Sequence, residues 1–175
     1  MSRSPIAGFE KSNGHGRKMP GRRVVTRQGN LFVEASSSVT DARLKQLLIE
    51  ECTRQGKPYG LIFRDISGGF TMTGRSGPQA FQVDPLVVFR LYPDGREELV
   101  RGVDIIGTPL TSFSKILAAS DRSQVFNGYC GAESGSVPVS AIAPSILTSE
   151  IEVQKEQKSM QKPPILPAPA RKDRP

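Results

Sequence analysis

The sequence contains no tryptophan, a single histidine and two cysteines, and only 6% of it is aromatic. Each scarcity closes a door. Two cysteines, Cys52 and Cys130, do not make a disulfide framework, and no charged, apolar and small-residue leader opens the chain. The expected compartment is therefore the reducing cytoplasm. Without tryptophan, and with the remaining aromatics mostly inside apolar runs, no platform for stacking single-stranded bases is visible. No apolar run approaches the ~20 residues that cross a bilayer. Hydrophobic residues make up 37% of 175, below the ordinary globular range, so part of the chain is expected to be unpacked tail. The length suits one domain with a real core.

What the chain has in excess is positive charge, +7 overall. Its distribution matters more than its sum. Arg3, Lys11, Arg17, Lys18, Arg22, Arg23 and Arg27 face one acid, Glu10, in the opening stretch, and Arg171, Lys172 and Arg174 lie at the far end. The middle is nearly balanced, so nucleic acid is not the expected partner.

Residues 1–22 are polar, basic and rich in glycine, without helical or alternating period, and read as a loop or arm. In Ser12-Asn13-Gly14-His15-Gly16-Arg17 two glycines flank the histidine. The adjacent cations would favour an anion or a peptide carboxylate; a flexible arm with a solvated histidine fits the same residues. From Arg23 to about 154 the pattern is that of a domain. Val24-Val25-Thr26 and Leu31-Phe32-Val33-Glu34 read as strands, and Ser36 to Thr40 offers capping hydroxyls. A helix is expected from Asp41 to about Gln55, with Leu44, Leu47, Leu48 and Cys52 inward and Gly56 stopping it. Cys52 lies on the apolar stripe and reads as core.

Tyr59 to Ile66 reads as a buried strand, Ser67 to Gln79 as a surface loop, and Leu86 to Tyr92 as the next strand. Tyr92-Pro93-Asp94-Gly95-Arg96 predicts a hairpin turn, with Glu98 to Ile106 as the returning strand. Thr111 or Ser112 would then cap a helix of about three turns carrying Phe113, Ile116 and Leu117 inward. Asp121 to Gln124 reads as a turn into a strand ending at Cys130. Val137 to Ile142 and Ile146 to Val153 read as further strands. Residues 155–175, with Pro163-Pro164-Ile165-Leu166-Pro167-Ala168-Pro169, read as a disordered, polyproline-like tail. The expected class is α+β: β-rich, antiparallel, with two short helices.

Cys130 stands between Gly128, Gly131 and Gly135. A lone cysteine is commonly a small buried hydrophobe, whereas glycine-bracketed backbone can present a thiolate. The residues Tyr129 to Val139, with Ser12 to Arg17 and Asp65-Ile66-Ser67-Gly68-Gly69-Phe70 upstream and Ser149 to Lys155 downstream, resemble in that order the C-terminal domain of the TldD/PmbA family of zinc metallopeptidases. The likeness covers nearly the whole chain up to the proline-rich tail. It implies zinc held by two histidines of an HExxxH helix, whose glutamate is the base, and by one cysteine, whose place Cys130 takes. Zinc keeps such a thiolate deprotonated and leaves a position open for water.

The departure is as telling. No HExxxH occurs, and His15 has no glutamate at the required spacing. The resemblance then implies a C-terminal piece of a longer enzyme, inactive alone, whose missing N-terminal half or HExxxH-bearing subunit completes the metal site in a homo- or heterodimer. A non-catalytic partner subunit of such a heterodimer is the alternative. The implied substrate is an unfolded peptide, bound by strand addition, with His15 and Arg17 as candidate contacts. Apolar surface exposed by the missing half is also expected.

Overall fold

The computed structural model describes residues 8, 11, 13–72, 74, 77 and 79–156. The proline-rich stretch lies outside the described residues. The architecture is β-rich with two helices and mostly antiparallel pairing, as expected. The elements are β1 (Gly16–Arg17), β2 (Val25–Thr26), β3 (Asn30–Phe32), α1 (Asp41–Arg54), β4 (Gly60–Met72), β5 (Ala80–Leu91), β6 (Glu97–Val100), β7 (Val103–Gly107), α2 (Pro109–Ser114), β8 (Ile116–Ala132), β9 (Gly135–Thr148) and β10 (Glu152–Lys155).

Helix α1 forms where its sequence signals place it. The Thr40 hydroxyl accepts the Arg43 N–H at 3.3 Å, and Asp41 in the first turn suits the positive end of the helix dipole. At the other end Lys57 N–H donates to Cys52 O and Gly56 N–H to Thr53 O, the paired bonds of a glycine-terminated helix. Cys52 is buried in the core. The helix rides close over Gly60 at the start of β4, where a Cβ would come within 2.7 Å of Leu48 Cδ1.

One sheet runs β10-β7-β5-β4, with β6 also paired to β5. The stretch from Ser67 is not loop: β4 continues to Met72 and pairs with β5 through Thr71↔Phe81 and Met72↔Ala80. Its glycines suggested a break, but the ladder absorbs them through three register shifts between Phe63 and Gly68. The Tyr92–Arg96 turn forms as expected, with Gly95 N–H donating to Tyr92 O at 2.9 Å. The returning strand, expected as one piece, is two. Gly102, at φ +70°, divides β6 from β7, and they pair with opposite ends of β5, at Val88–Leu91 and Phe81–Val83.

The second helix is shorter than expected. It covers Pro109–Ser114 behind Thr108, which makes no side-chain cap bond, so neither Thr111 nor Ser112 caps it. Phe113 and Leu117 are exposed, and Ile116 and Leu117 belong to β8. The i, i+3, i+4 apolar spacing imitates a helix face, but pairing of Ile116 with Thr148 claims the chain for the sheet. Asp121–Gln124 is likewise strand, accommodated by a register shift between Ala119 and Ser123. The two segments expected after Cys130 are one strand, β9, and the final strand is displaced to Glu152–Lys155, where it pairs with β7. Lys155, expected in the tail, is therefore part of the sheet.

The second sheet has the order β3-β9-β8, with β3 parallel to β9. Its root is buried at Ala119, Ser120 and Leu147, where β8 and β9 contact α1. Its outer half is not. In the register row Phe32↔Ile142↔Val125, Phe32 is 68% and Val125 64% exposed, and Tyr129 further along the same face is 79% exposed. Leu31 and Phe126, in the next row, are exposed too. Both rows thus present apolar side chains to solvent.

Candidate functional site

The β8–β9 hairpin closes through Glu133 and Ser134, between the paired Ala132 and Gly135. Gly135 sits at φ +89°, a conformation that costs glycine little. Cys130 lies two positions before the turn residue pair's first neighbour, paired with the buried Val137. Its thiol is free and half-buried. The glycines around Cys130 thus mark a tight hairpin end, with the ladder continuing past Cys130 to Ala132↔Gly135.

Two residues of the N-terminal arm, Arg17 and Met19, and Arg27 just after β2 grip this end. Met19 N–H donates to Ser134 O, and Met19 Sδ accepts the Ser136 N–H at 2.9 Å. Arg17 Nη1 donates to Gln28 O at 2.8 Å and Nη2 to Pro138 O at 2.6 Å. Arg27, only 3% exposed, donates to Ser134 Oγ at 2.6 Å, to Gly135 O at 2.6 Å and to Cys130 O. The arm itself is held by the β1–β2 pairs Gly16↔Thr26 and Arg17↔Val25. Arg27 N–H also donates to His15 O at 2.8 Å.

Of the three residues singled out by sequence, Cys130 lies in the hairpin end and Arg17 reaches the hairpin through Pro138 O, whereas His15 is joined to it only indirectly, through the Arg27 N–H that its carbonyl accepts. Arg17 lines an open groove of about 470 Å³ with Asn30, Asn127, Tyr129, Pro138 and Ser140. Asn127 Oδ1 accepts the Ser140 hydroxyl at 2.7 Å across its floor. His15 turns inward: its Nδ1 is buried without a hydrogen-bond partner among the described residues. Sequence reasoning passed over Arg27, Met19 and Ser134. Arg27 was one cation among many in the opening stretch, and its place directly after an apolar β-run, Val24-Val25-Thr26, was the available signal.

The hairpin's two edges differ. In an antiparallel ladder a facing pair exchanges both backbone bonds or neither. Ser136 N–H and Ile142 O both point away from β8, to Met19 and to Val33. Their partners Gly131 and Val125, and by alternation Asn127 and Tyr129, likewise direct their backbone groups outward. No described strand pairs with β8 on that side beyond the isolated bridge Val39↔Ser120 at its root.

A zinc site of the implied kind needs three protein ligands. Among the described residues no three His, Cys, Asp or Glu side chains gather as such a set. Cys130 stands as a free thiol without such a set around it among the described residues. Among the described residues no helix is long and apolar enough to cross a membrane. No protein-family model matches the chain, and no curated protein matches it either.

Proposed function

We propose that this chain is the cysteine-bearing C-terminal domain of a TldD/PmbA-type zinc metallopeptidase of the cytoplasm, acting on unfolded peptides only when an HExxxH-bearing half or subunit joins it. The observation that carries the reading is the free, half-buried Cys130 thiol at a hairpin end held by Arg17, Met19 and Arg27. A thiol so held can supply one ligand and needs others to complete a site. Bound zinc would supply a Lewis acid and an activated water; the chain's own contribution is to hold one ligand and to receive the peptide.

Reception follows from the open edge. Outward backbone groups at Val125, Asn127, Tyr129 and Gly131 can pair with an extended peptide without reading its side chains. Arg17, in the adjoining groove, adds a cation for a peptide carbonyl or carboxylate. His15 shapes the arm that carries Arg17. The exposed apolar rows of the three-stranded sheet offer the partner half a surface to cover.

The test is Cys130→Ser in the reassembled enzyme. Zinc content and proteolysis should fall to background while association with the HExxxH-bearing half stays unchanged. Full proteolysis in the Cys130→Ser enzyme would sink the reading and leave a non-catalytic partner subunit in its place.

A further inference from the structure

Edge strands of folded proteins are blunted by shortness, charge, proline or bulges, and the described edges of this chain follow that rule with one exception. β1, β2 and β3 are two or three residues long, β6 begins with Glu97 and Glu98, and β10 carries Glu152 and Lys155. β4 bears Arg64 and Asp65 beside three register shifts. β8 has none of these devices from Ser123 to Ala132. That stretch is free of charge and proline, and its ladder with β9 runs without a shift. Every residue from Asp121 to Asn127 is exposed, so this length of strand is covered on neither face. Its outward backbone groups stand at every second residue, Val125, Asn127, Tyr129 and Gly131.

We propose that this edge is the seam of a symmetric dimer, in which β8 pairs antiparallel with β8 of a second copy of this chain. A two-fold axis makes each residue near it face its own kind, so a charge there would repel itself. The uncharged stretch lies between Arg122 and Glu133, and its middle falls between Asn127 and Gly128. Bonded pairs must match outward residues with outward residues. An axis at Asn127 therefore pairs Asn127 with itself and Val125 with Tyr129; an axis at Gly128 pairs Val125 with Gly131 and Asn127 with Tyr129. Either brings the exposed Val125 and Tyr129 of both copies within reach of each other on one face, and the Phe126 rings on the other. Each ring already lies over Gly128, where a Cβ would come within 2.9 Å of Phe126 Cε1. Two three-stranded sheets become one continuous sheet. The inference stands on the edge alone, without Cys130 or a metal, and goes beyond the proposed function: a second copy and a peptide need the same backbone groups, so each excludes the other.

The experiment is sedimentation of the full chain, with amide hydrogen exchange at low and high concentration. A seam one strand wide is narrower than a standard interface, so dissociation in the micromolar range or weaker is expected. As the dimer forms, the amides of Val125, Asn127, Tyr129 and Gly131 should slow about tenfold or more. Those of Gln124, Phe126, Gly128 and Cys130, already bonded to β9, should keep their rates. Asn127→Asp keeps an acceptor for the Ser140 hydroxyl and adds a charge beside the axis. It and Asn127→Lys should each dissociate about tenfold more readily than wild type, whereas an equimolar mixture of the two should pair at least as well as wild type. A chain that stays monomeric up to about 1 mM overturns the proposal. So does a dimer whose outward amides exchange as in the monomer, since its seam lies elsewhere. Outward amides already protected in a monomer would mean that another segment of the same chain covers the edge, which overturns it equally. Asp and Lys variants that dimerise as tightly as wild type, with no preference for each other in the mixture, remove the two-fold seam. Outward amides slowed by an added extended peptide, in a chain that never dimerises, would assign the edge to peptide and not to a second copy.

Discussion

The β8–β9 hairpin has one sealed edge and one open edge, built from the same pair of strands. Along β9 the outward groups are taken in turn: Ser136 N–H by Met19 Sδ, Pro138 O by Arg17, and Ser140 to Ile142 by β3. Along β8 the equivalent groups at Val125, Asn127, Tyr129 and Gly131 meet no described strand. Exposed strand edges invite pairing with other chains, and folded proteins blunt them where pairing is unwanted. Here the blunting is spent on one side only. The side left bare belongs to the strand that carries Cys130, and it is the side on which the proposed function lays its peptide.

The comparison can be broken first at the sealed edge. A Cβ at Gly135 would come within 2.7 Å of Met19 Cγ, and the φ of +89° is one that other residues adopt under strain. Gly135→Ala should therefore cost about 2 kcal/mol in urea unfolding. Combining it with Met19→Ala should give less than the sum of the two losses, because the substitutions share one contact. Strict additivity would mean that Met19 does not seal the edge.

The open edge should answer differently. Tyr129 faces Pro138 in a pair whose backbone groups point away from each other, with Pro138 O taken by Arg17, so its own amide makes no bond to β9. Tyr129→Pro should then cost at most about 1 kcal/mol, since proline is tolerated where a strand's N–H faces solvent. The same change removes a donor from the proposed peptide rail, and binding of an extended peptide to the reassembled enzyme should weaken. A large stability loss with unchanged peptide binding would reverse the assignment of the edges.

What could be read from the sequence was what local chemistry decides. The Thr40 cap, the leucine stripe and Gly56 fixed α1, and Pro93-Asp94-Gly95 fixed its turn. Where long-range pairing outbids local preference, the reading failed. Gly68 and Gly69 look like loop until β5 pairs with them, and Phe113, Ile116 and Leu117 look like one helix face until Ile116 pairs with Thr148. The site shows the same division. Glycines on both sides of Cys130 pointed to the hairpin end, but nothing local separates Arg27 from the arginines around it. Its burial depends on a segment more than a hundred residues away, as the sequence separation of 107 between Arg27 and Ser134 records.

The smallest expected effect separates both edges from the root. The edge contacts use arginine donors, a thioether, hydroxyls, amides and carbonyls, with no carboxylate among them. The root is tied differently. Glu51 is held down to about 2 by the hydrogen bond from Arg54 and then by Gln55, and Gln55 in turn donates to Ser149 O at 2.8 Å, just beyond β9. Lys115 lowers Glu150 in the same neighbourhood, chiefly through its hydrogen bond. A carboxylate whose folded value lies below its unfolded one contributes stability that is complete above the unfolded value and drains as pH falls through the folded one. Glu51 should thus lose its contribution from about 4.5 down to about 2. Over that range the amide shifts of 149–151 should move before those of 130–136, with only a modest loss of overall stability because Arg54, the partner of Glu51, and Glu150 face solvent. If the hairpin end moved first, a carboxylate would have to be bracing it, and the contrast between a sealed edge of neutral acceptors and an ionic root would fail.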